Sequence, residues 1–528
     1  MNESTPVVPL PQHALPLDEP GLRLNERLRV AVPEHLRELG ETVAGLLARL
    51  HGLEADVVTG DDADLRLVIG APAREVEDVQ GVDPRGAGES ERYELVVNEH
   101  TATVTAPAAE GLFRGSTTFA QLLGDDRVAP AVRIIDGPAM AWRGLSLDVV
   151  RRFFGVDQVK KVIDVLAFYK FNVLHLHLSD SQAWRLEIDG WPRLTDPAAW
   201  PGGALADEGV RPYYTQDDFR EIVAYAAARF VTVVPEIDMP GHVLAAVRAY
   251  PELQGTAKPP HELLAFLDPH AEVVERFVAE VLGQVAALTP GRFLHVGGDE
   301  AFGMPPELYG AFVASALRTA RATGKRLVGW QEISRSGAVT PDDVVQAWIG
   351  AGDEFDLDAA REQAPPEYHP LLEHVAETFA ESVHDVPAAV AAGAAVLVSA
   401  SSVLYLDRRH AEDSLLDEQN ERRTQVGFGS YTPRTCRDLF DWRPGTLPEI
   451  PPEARRAGIE AAIWCETVRG FDDLAFLMLP RLPGVAEKAW TPQDTAWDGY
   501  RRRVSAHAPW WDRLGWNGYY RSTEIFRR

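Results

Sequence analysis

The stretch Leu294-His295-Val296-Gly297-Gly298-Asp299-Glu300 sets a hydrophobic strand, two glycines and two adjacent carboxylates in one row. Glycines at the end of a strand let the backbone turn sharply and let a ligand approach closely. Two neighbouring carboxylates resist simultaneous ionisation, so one of them tends to keep its proton near neutral pH. A protonated acid beside a charged carboxylate is what cleavage of a glycosidic bond requires. An isolated turn of this kind is as often a solvated surface feature, so its surroundings decide.

Short apolar strands, separated by stretches with helical spacing, recur on both sides of this row. Eight are predicted, at residues 144–147, 173–177, 231–235, 293–296, 326–330, 344–348, 395–399 and 459–464. This alternation is typical of an α/β protein with a (β/α)8 TIM barrel, which we predict over residues 138–528. The connection between the fifth and sixth strands is short, which predicts a reduced helix there. Residues 350–387 are long and acidic for a connection and predict an inserted helical segment.

The chain ahead of the barrel mixes helical and alternating patterns. We predict for residues 1–137 an N-terminal arm followed by a small noncatalytic α+β domain. The arm takes up about the first 20 residues, is rich in proline and is expected to be extended. At the other end, the segment after Trp490 is predicted to be a helical tail that packs on the barrel. Its aromatic residues are Trp497, Tyr500, Trp510, Trp511 and Trp516.

The composition excludes several classes of partner. The chain has 528 residues, a net charge of −27 and a pI near 5.0, which argues against nucleic acid and against an anionic membrane surface. No apolar run is long enough to span a bilayer. The N-terminus lacks a basic stretch followed by an apolar one, which predicts a cytoplasmic protein without a signal peptide. Cys436 and Cys465 form neither a disulfide framework nor a metal-type spacing, so we expect reduced cysteines, with Cys465 buried in a strand.

Polar and aromatic side chains follow the end of every predicted strand. In strand order they are Asp148 and Arg151; His177, Asp180, Trp184 and Arg185; Glu236, Asp238 and His242; Asp299 and Glu300; Trp330; Trp348; Tyr405 and Asp407; Trp464 and Glu466. In a barrel the carboxyl ends of the strands open into the loops that carry the active site. One such residue could be structural, but a set that follows all eight strands indicates one functional face.

Several segments, in this order and at this spacing, resemble a single enzyme family. They are RGLSLDVVR at 143–151, HLHLSD at 175–180, WR at 184–185, PEIDMPGH at 235–242, HVGGDE at 295–300, GW at 329–330 and WCE at 464–466. Through them the chain resembles the family 20 glycoside hydrolases, the β-N-acetylhexosaminidases, over nearly its full length. The small domain ahead of the barrel also resembles the noncatalytic domain usual in that family. The resemblance implies a retaining, substrate-assisted mechanism through an oxazolinium intermediate, an exception to the scheme with two flanking carboxylates.

The resemblance implies catalytic roles for four residues. Glu300 matches the general acid that later acts as the general base. Asp299 matches the residue that orients the 2-acetamido group and offsets the charge developing on its nitrogen. His242 and Asp180 match a relay behind the acid. Because the substrate's own acetamido oxygen attacks the anomeric carbon, the two carboxylates can be neighbours in the sequence.

The resemblance also implies a substrate pocket and no metal or organic cofactor. The matching residues are Arg151, Asp238, Trp330, Trp348, Tyr405, Asp407, Trp464 and Glu466. The tryptophans would box the acetamido methyl group, and the tyrosine would donate to the attacking oxygen. The arginine and the two carboxylates after the seventh and eighth strands would hold the terminal hydroxyls, which implies an exo-acting enzyme. The expected substrate is an oligosaccharide or glycoconjugate that ends in β-linked N-acetylglucosamine or N-acetylgalactosamine.

Three positions depart from the family pattern. The family often has a second aspartate where this chain has Ser181, a glycine where it has Ala183, and a histidine where it has Arg152. These positions flank the chemistry, so they bear on substrate preference more than on activity. For His177 and Glu236 both a structural and a functional role stay open, because polar residues at strand ends often only close hydrogen bonds inside a barrel.

Two other functions stay open at this point. The first is the release of disaccharide units, which would need a wider pocket at the nonreducing end. The second is a sugar-binding protein without turnover, which would be expected to have lost Asp299 or Glu300, both of which this chain keeps. The sequence indicates neither the leaving group nor the oligomeric state.

Overall fold

The computed structural model describes residues 5–60, 62–71, 76–85, 91–353 and 355–527. The strands ahead of the barrel are β1 (His13–Pro16), β2 (Leu22–Arg23), β3 (Arg27–Ala31), β4 (Glu54–Val58), β5 (Leu65–Ile69), β6 (Tyr93–Val97), β7 (Ala102–Ala106), β8 (Val128–Ala129) and β9 (Val132–Asp136). They form a seven-stranded sheet in the order β1-β9-β6-β7-β5-β3-β4 and a separate pair of β2 with β8. Helices α1 (Arg37–His51) and α2 (Ala109–Leu122) pack on the larger sheet. This is a small α+β domain.

The N-terminal arm is extended, but it is also part of the sheet. Strand β1 pairs with β9 in antiparallel register, from His13 opposite Ile135 to Pro16 opposite Val132. Ahead of β1, Val8 is fully buried, and its backbone N–H donates to Oε1 of Gln121 at 2.7 Å. Main-chain pairing and apolar burial therefore tie this extended segment to the domain.

Helix α2 is buried on almost every side because the barrel covers the face that the sheet leaves free. The side chain of Arg114 in this helix donates to the carbonyl of Phe230, which precedes a barrel strand. Arg114 also pairs with the buried carboxylate of Glu91, which in turn accepts from Arg143 of the barrel. Burial would raise the pKa of Glu91, but these arginines hold it at about 2. An ion cluster thus joins the two domains.

Eight parallel strands close the barrel: β10 (Trp142–Asp148), β11 (Val173–His177), β12 (Thr232–Glu236), β13 (Phe293–His295), β14 (Arg326–Trp330), β15 (Val344–Ala347), β16 (Ala395–Val398) and β17 (Arg456–Ile463). Strand β10 pairs with both β11 and β17, which completes the ring. The predicted barrel is confirmed, with differences of a few residues at strand ends. Strand β17 begins at Arg456 rather than at residue 459 because Val396 of β16 offers it a pairing partner.

Helices connect the strands and follow the barrel: α3 (Val156–Phe168), α4 (Gln216–Ala227), α5 (Leu244–Ala249), α6 (Glu272–Leu288), α7 (Pro306–Ala322), α8 (Leu357–Gln363), α9 (His369–Glu381), α10 (Asp385–Ala391), α11 (Ser401–Leu404), α12 (Asp417–Arg422), α13 (Phe471–Met478), α14 (Leu482–Trp490), α15 (Trp497–Ser505), α16 (Ala508–Arg513) and α17 (Thr523–Phe526). Between β14 and β15 lies a 3-10 helix, Gln331–Ser336, as the short spacing predicts. Helices α8 and α9 and the start of α10 make up the acidic segment that was predicted to be helical.

The C-terminal tail packs on the barrel as predicted. Its large aromatic residues, from Trp497 in α15 to Trp516, are buried, and so is Trp490 in α14. Both cysteines are free and buried, with Cys465 just beyond the end of β17. Among the described residues, no helix is both long and apolar enough to cross a bilayer.

Candidate active site

Residues 294–300 continue from strand β13 into a turn that favours glycine. Gly297 and Gly298 have positive φ angles of 65° and 109°. A Cβ atom on Gly297 would lie 1.8 Å from Oδ1 of Asp238, and the backbone N–H of Gly298 donates to that same oxygen at 2.9 Å. The glycines therefore serve the close approach of a neighbouring loop. Asp238 in turn fixes where the two carboxylates after the turn project.

The carboxyl ends of the barrel strands surround an open pocket. Its lining residues are Arg151, His177, Asp180, Asp238, His242, Asp299, Glu300, Trp348, Tyr405, Asp407, Phe428, Tyr431, Trp464 and Glu466. Every residue predicted for the site lines this pocket except Trp330. Active sites of barrel enzymes lie at this face.

Asp180 lies at the centre of the ion pairs beneath the pocket. Its carboxylate accepts from Nδ1 of His242 at 3.0 Å, from Nε2 of His177 at 2.9 Å and from Nη2 of Arg151 at 2.6 Å. Burial alone would raise the pKa of Asp180, but Arg151 and His242 hold it well below its ordinary value. Asp180 therefore stays ionised, and it joins a predicted substrate-binding residue to the predicted relay.

His242 stands between Asp180 and the two adjacent acids. Its Nε2 lies 3.4 Å from Oε2 of Glu300 and 3.7 Å from Oδ2 of Asp299. Burial would lower the pKa of His242, but Asp180 and Asp299 outweigh it and raise it well above its ordinary value. Both His242 and Glu300 have positive φ angles, 55° and 50°, a strained backbone that is often found at active sites. The predicted order of acid, imidazole and carboxylate is present in space.

Asp299 is a buried acid with spare acceptor capacity. Burial and the carboxylate of Asp238 raise the pKa of Asp299 well above its ordinary value, and His242 opposes that shift. Burial likewise raises the pKa of Asp238 to about 7. Within the described residues, Oδ1 of Asp299 has no hydrogen-bond donor. A ligand N–H group would supply one, and it would favour the ionised carboxylate.

Arg151, Asp407 and Glu466 form a second group of charged or titratable residues that line the pocket. Nη1 of Arg151 lies 3.9 Å from Oε1 of Glu466. Asp407 is 1% exposed, and no side chain in the described part of the chain donates to its carboxylate. Burial, with a contribution from Glu466, raises the pKa of Asp407 to about 8. Buried polar groups without partners fit neutral hydroxyl groups, which can both donate and accept.

Aromatic rings form one side of the pocket. The rings of Trp348 and Tyr405 lie within 11° of parallel with centroids 6.3 Å apart, and Trp464 lies 6.1 Å from Tyr405. The Tyr405 hydroxyl accepts a hydrogen bond from Trp464, and burial raises the pKa of Tyr405 well above its ordinary value. Tyr405 thus keeps a proton that it can donate to a ligand oxygen. Rigid rings around that donor restrict how a ligand can lie.

Trp330 was predicted for the pocket wall, but it is absent from the residues that line the pocket, and its contact with substrate stays a prediction. Trp330 is 1% exposed and lies behind Trp464, with ring centroids 5.8 Å apart. Its indole N–H donates to Oε1 of Glu236 at 2.7 Å. A buried indole needs an acceptor for its N–H. Because the barrel interior supplies that acceptor, the ring turns inward instead of lining the pocket.

Three pocket residues lie outside the predicted set: His177, Phe428 and Tyr431. The two aromatic residues follow β16 in a loop without periodicity. The backbone N–H of Phe428 donates to the carbonyl of Asp407 at 2.7 Å, which holds the loop against the pocket. The available signal was Gly427-Phe428-Gly429-Ser430-Tyr431, aromatic residues among small ones in a loop after a barrel strand.

Among the residues that the structure describes, four sets of side chains have the types and spacing of metal ligands. They are His175, Glu236 and His295; His177, Glu236 and Asp238; Asp238, His242 and Asp299; and His410, Glu412 and Cys436. In the three sets beneath the pocket, every histidine already faces a carboxylate within 3.2 Å through at least one ring nitrogen. These sets therefore fit imidazole–carboxylate pairs, and the chemistry of the pocket can be derived from the side chains themselves.

The sequence matches the family model described as "Glycosyl hydrolase family 20, catalytic domain" over residues 140–308 and 373–493. It matches the model for domain 2 of the same family over residues 4–137. The chain belongs to glycosyl hydrolase family 20. The resemblance to the family 20 β-N-acetylhexosaminidases is thereby confirmed, and the chain is an enzyme, a glycoside hydrolase. Trp330 and Trp348 lie between the matched segments, so their places come from the structure.

This family 20 enzyme is similar to other members along both domains. A β-N-acetylhexosaminidase from Cellulomonas fimi is 38% identical over 501 residues, which cover 92% of this chain and 89% of that protein. The Streptomyces plicatus N-acetyl-β-hexosaminidase in complex with Thio-NAglucal has a TM-score of 0.79 and 33% identity, covering 100% of this chain and 98% of that one. The family 20 β-N-acetylhexosaminidase from Streptomyces coelicolor A3(2) gives 0.80 and 33%, covering 99% and 98%.

Proposed function

We propose that this family 20 enzyme is an exo-acting, retaining β-N-acetylhexosaminidase. It releases single N-acetyl-β-D-glucosamine units, with N-acetylgalactosamine as the alternative sugar, from the nonreducing ends of oligosaccharides or glycoconjugates. The observation that carries the proposal is the pair Asp299 and Glu300, set side by side at one wall of the pocket with His242 behind it. Family 20 enzymes are an exception to the scheme in which two carboxylates flank the scissile bond. By membership in this family, the attacking group is the 2-acetamido group of the substrate, so the two acids can be neighbours.

In the first step, Glu300 donates its proton to the glycosidic oxygen while the acetamido oxygen forms a bond to the anomeric carbon. The bond from that carbon to the leaving group breaks, and an oxazolinium ion results. His242, held by Asp180, lies next to Glu300 and stabilises the carboxylate that remains after the proton has left. Water then attacks the anomeric carbon from the vacated side and gives its proton to Glu300, while the bond from that carbon to the acetamido oxygen breaks and the acetamide is restored. Two inversions leave the configuration retained.

The acetamido group has partners waiting at both of its polar ends. Its N–H fits the unpartnered Oδ1 of Asp299, whose negative charge offsets the positive charge that develops on nitrogen. Its oxygen fits the Tyr405 hydroxyl, which keeps its proton. A preorganised donor and acceptor hold the nucleophile near the anomeric carbon, and this arrangement lowers the barrier.

Three charged or titratable residues of the pocket support exo action. Arg151, Asp407 and Glu466 line the pocket; Asp407 is buried, Arg151 is half-buried and Glu466 is exposed. Hydroxyl groups of a terminal sugar would bond to these three side chains. Such contacts to the terminal sugar disfavour the release of disaccharide units.

The deciding experiment compares para-nitrophenyl N-acetyl-β-D-glucosaminide with para-nitrophenyl β-D-glucoside. We expect rapid release from the first and almost none from the second, because only the first carries the nucleophile. Comparable rates would require a nucleophile on the enzyme and would overturn the mechanism. Binding without release from either substrate would favour a sugar-binding protein.

Replacement Glu300→Gln tests the acid separately. Turnover of substrates with poor leaving groups should fall by about 10²- to 10⁴-fold, which is the usual contribution of general acid catalysis. Activated aryl glycosides need little protonation and should lose much less. Equal losses on both kinds of substrate would remove Glu300 from the role of acid.

A further inference from the structure

Beneath the pocket, imidazole and carboxylate groups alternate through the barrel interior. Glu236 accepts from Nδ1 of His177 at 2.7 Å and from Nε2 of His175 at 2.9 Å. Nδ1 of His175 pairs with Glu460 at 2.9 Å. Barrel interiors are usually filled by branched apolar residues, so an ionic column at this place needs an explanation. The proposed mechanism uses only the top of the column, at Asp180.

His177 is the link between this column and the relay. Its Nδ1 faces Glu236, and its Nε2 faces Asp180 at 2.9 Å. A carboxylate accepts but does not donate, so both nitrogens carry protons and His177 is an imidazolium. Burial would lower the pKa of His177, but the two carboxylates raise it well above its ordinary value. Asp180 therefore contacts a fixed positive charge whose counter-ion is Glu236.

Glu236 also reaches the aromatic side of the site. Its second oxygen accepts from the indole of Trp330 at 2.7 Å, and Trp330 supports Trp464 from behind. His177 packs edge-on against the same Trp464, with centroids 5.2 Å apart. One carboxylate thus contacts both His177, which pairs with Asp180 of the relay, and Trp330, which packs against Trp464.

We propose that Glu236 is a positioning residue that, through His177 and Trp330, holds the acid–base relay and the aromatic wall in register and balances the charge beneath Asp180. This inference rests on the proposed function, because it concerns the same relay. Glu236 does not line the pocket, so it acts through its neighbours. The role left open from the sequence for His177 and Glu236 is then functional.

Several charged or titratable groups face this pair, and each bears on its charge balance. They are His175 of β11, His295 of β13, Asp238 and Asp180 in the loops after β12 and β11, Arg151 beyond Asp180, Asp299 above, and Glu460 on the far side of His175. Since His177 and Glu236 carry opposite charges, together they add no net charge to this set. Removing either one alone leaves an excess of one charge beneath the catalytic acid.

The test is the pH profile of kcat/KM for para-nitrophenyl N-acetyl-β-D-glucosaminide in three variants. Glu236→Gln keeps the shape and an oxygen acceptor for Trp330, but leaves one excess positive charge. Its alkaline limb should shift to lower pH, because nearby acids lose their protons more readily. His177→Gln leaves one excess negative charge, and its limb should shift to higher pH. Each shift should be about one pH unit, as for a unit charge roughly 10 Å away at an effective dielectric of about 20.

The double variant Glu236→Gln/His177→Gln restores the charge balance, so its limb should return toward that of the wild type. Its kcat/KM should still fall by about 10- to 100-fold, as when outer partners of functional groups are removed. A merely structural role would lower stability or activity without opposite shifts that cancel. Limbs that do not move, or that move the same way in both single variants, would overturn the proposal while leaving the proposed function intact.

Glu460→Gln is the matched control. Glu460 is equally buried, accepts from the other nitrogen of His175, and accepts from the indole of Trp142 at 2.8 Å. It contacts neither His177 nor Trp330, so its loss of thermal stability should resemble that of Glu236→Gln, while its limb should stay closer to the wild-type position. Equal shifts in the two variants would overturn the special link of Glu236. So would failure of all three test variants to fold while Glu460→Gln folds.

Failure of the proposed function has a different signature from failure of this inference. If the wild type releases no para-nitrophenol from the N-acetylglucosaminide, the proposed function falls and the relay has no reaction to serve. If the wild type is active and the limbs do not move as described, only the role of Glu236 falls.

Discussion

Asp180 and Asp407 are two buried aspartates in the same pocket, each 1% exposed, and their surroundings are opposite. Asp180 accepts from an arginine and two histidines, which hold its pKa well below its ordinary value. Asp407 has no side-chain donor in the described residues, and burial raises its pKa to about 8. Burial is therefore the same in the two places, and only the partners differ.

The difference separates groups that the protein completes from groups that a ligand completes. The polar contacts of Asp180 are all made within the chain, so it is ready before substrate arrives. Asp407 retains acceptor capacity at a cost in solvation, which a sugar hydroxyl can recover. Under the proposed function, Asp407 and Oδ1 of Asp299 are left for ligand groups to complete, whereas Asp180 is completed by the chain itself.

Replacement Asp180→Asn should have the largest effect on activity, because it removes an acid whose polar contacts are all made within the chain. An amide cannot accept from Arg151, His177 and His242 at once, so we expect kcat/KM to fall on the order of 10³-fold. We also expect a loss of about 3–5 kcal/mol in the free energy of unfolding, because buried cations lose a counter-charge. Asp148→Asn is the control, since Asp148 also contacts Arg151 but neither histidine. A similar loss of activity in both would trace the effect to Arg151 alone.

Replacement Asp407→Asn should have a smaller effect on activity, because it changes an acid that has no side-chain donor among the described residues. A hydrogen bond between neutral groups contributes about 0.5–1.5 kcal/mol, so kcat/KM should fall about 2- to 12-fold, mostly through KM. The free energy of unfolding should not fall, because no side-chain bond in the apo protein is lost. Steady-state kinetics and urea unfolding check both points. A marked loss of stability would show that Asp407 has a structural partner instead.

The pH dependence of the free energy of unfolding, measured from pH 5 to pH 8, should distinguish Asp407 from Asp180. Asp407 has a raised folded pKa of about 8, so its stabilising contribution is full below the unfolded pKa of about 3.9 and is lost as pH rises toward 8. The wild type should therefore lose stability relative to Asp407→Asn across this range, by up to roughly 1.4 kcal/mol per pH unit. The folded pKa of Asp180 is depressed, so its contribution is full above about 3.9 and is lost only as pH falls further. Asp180 also raises the pKa of His177 and His242, so the stability that Asp180→Asn removes should be full below a pH of about 6.5 and shrink as pH rises to 8. A constant difference between the wild type and Asp180→Asn over this range would contradict the assignment.

Replacement Arg152→His should have the smallest effect. Arg152 pairs with Asp207, whose side chain is 48% exposed, and partly exposed ion pairs contribute about 0–1 kcal/mol. Restoring the residue that is common in the family should therefore change kcat/KM by less than about fivefold. Assays with N-acetylglucosaminide and N-acetylgalactosaminide substrates check whether this departure affects sugar preference. A change above tenfold on either would place Arg152 in contact with substrate.

The barrel and most of the site could be predicted from the sequence because both depend on local patterns. Buried parallel strands have short apolar runs as their sequences, and polar residues at their carboxyl ends meet at one face of the barrel. This brought together Arg151, Asp180, His242 and the pair Asp299 and Glu300, which are distant in sequence. The glycine turn was also readable, although the group that approaches Gly297 is Asp238 and not a ligand.

The remaining features depend on contacts that no local pattern encodes. Trp330 turns inward because Glu236, 94 positions away, accepts its indole N–H. Phe428 and Tyr431 enter the pocket from a loop whose path is set by backbone bonds to the Asp407 segment. The arm joins the sheet because β9 leaves an edge for His13–Pro16. In each case a tertiary partner overrides what the local sequence suggests.

The left-handed backbone at His242 and Glu300 has an evolutionary consequence. A non-glycine residue held in a sparsely populated conformation costs on the order of 1–3 kcal/mol, so glycine at either position would relieve strain while removing a reacting or relaying group. Lineages selected only for durability would gain from such replacements, and lineages selected for turnover would purge them. A relative with glycine at either position would thus be expected to have lost hydrolytic activity and to be more stable than its active ancestor.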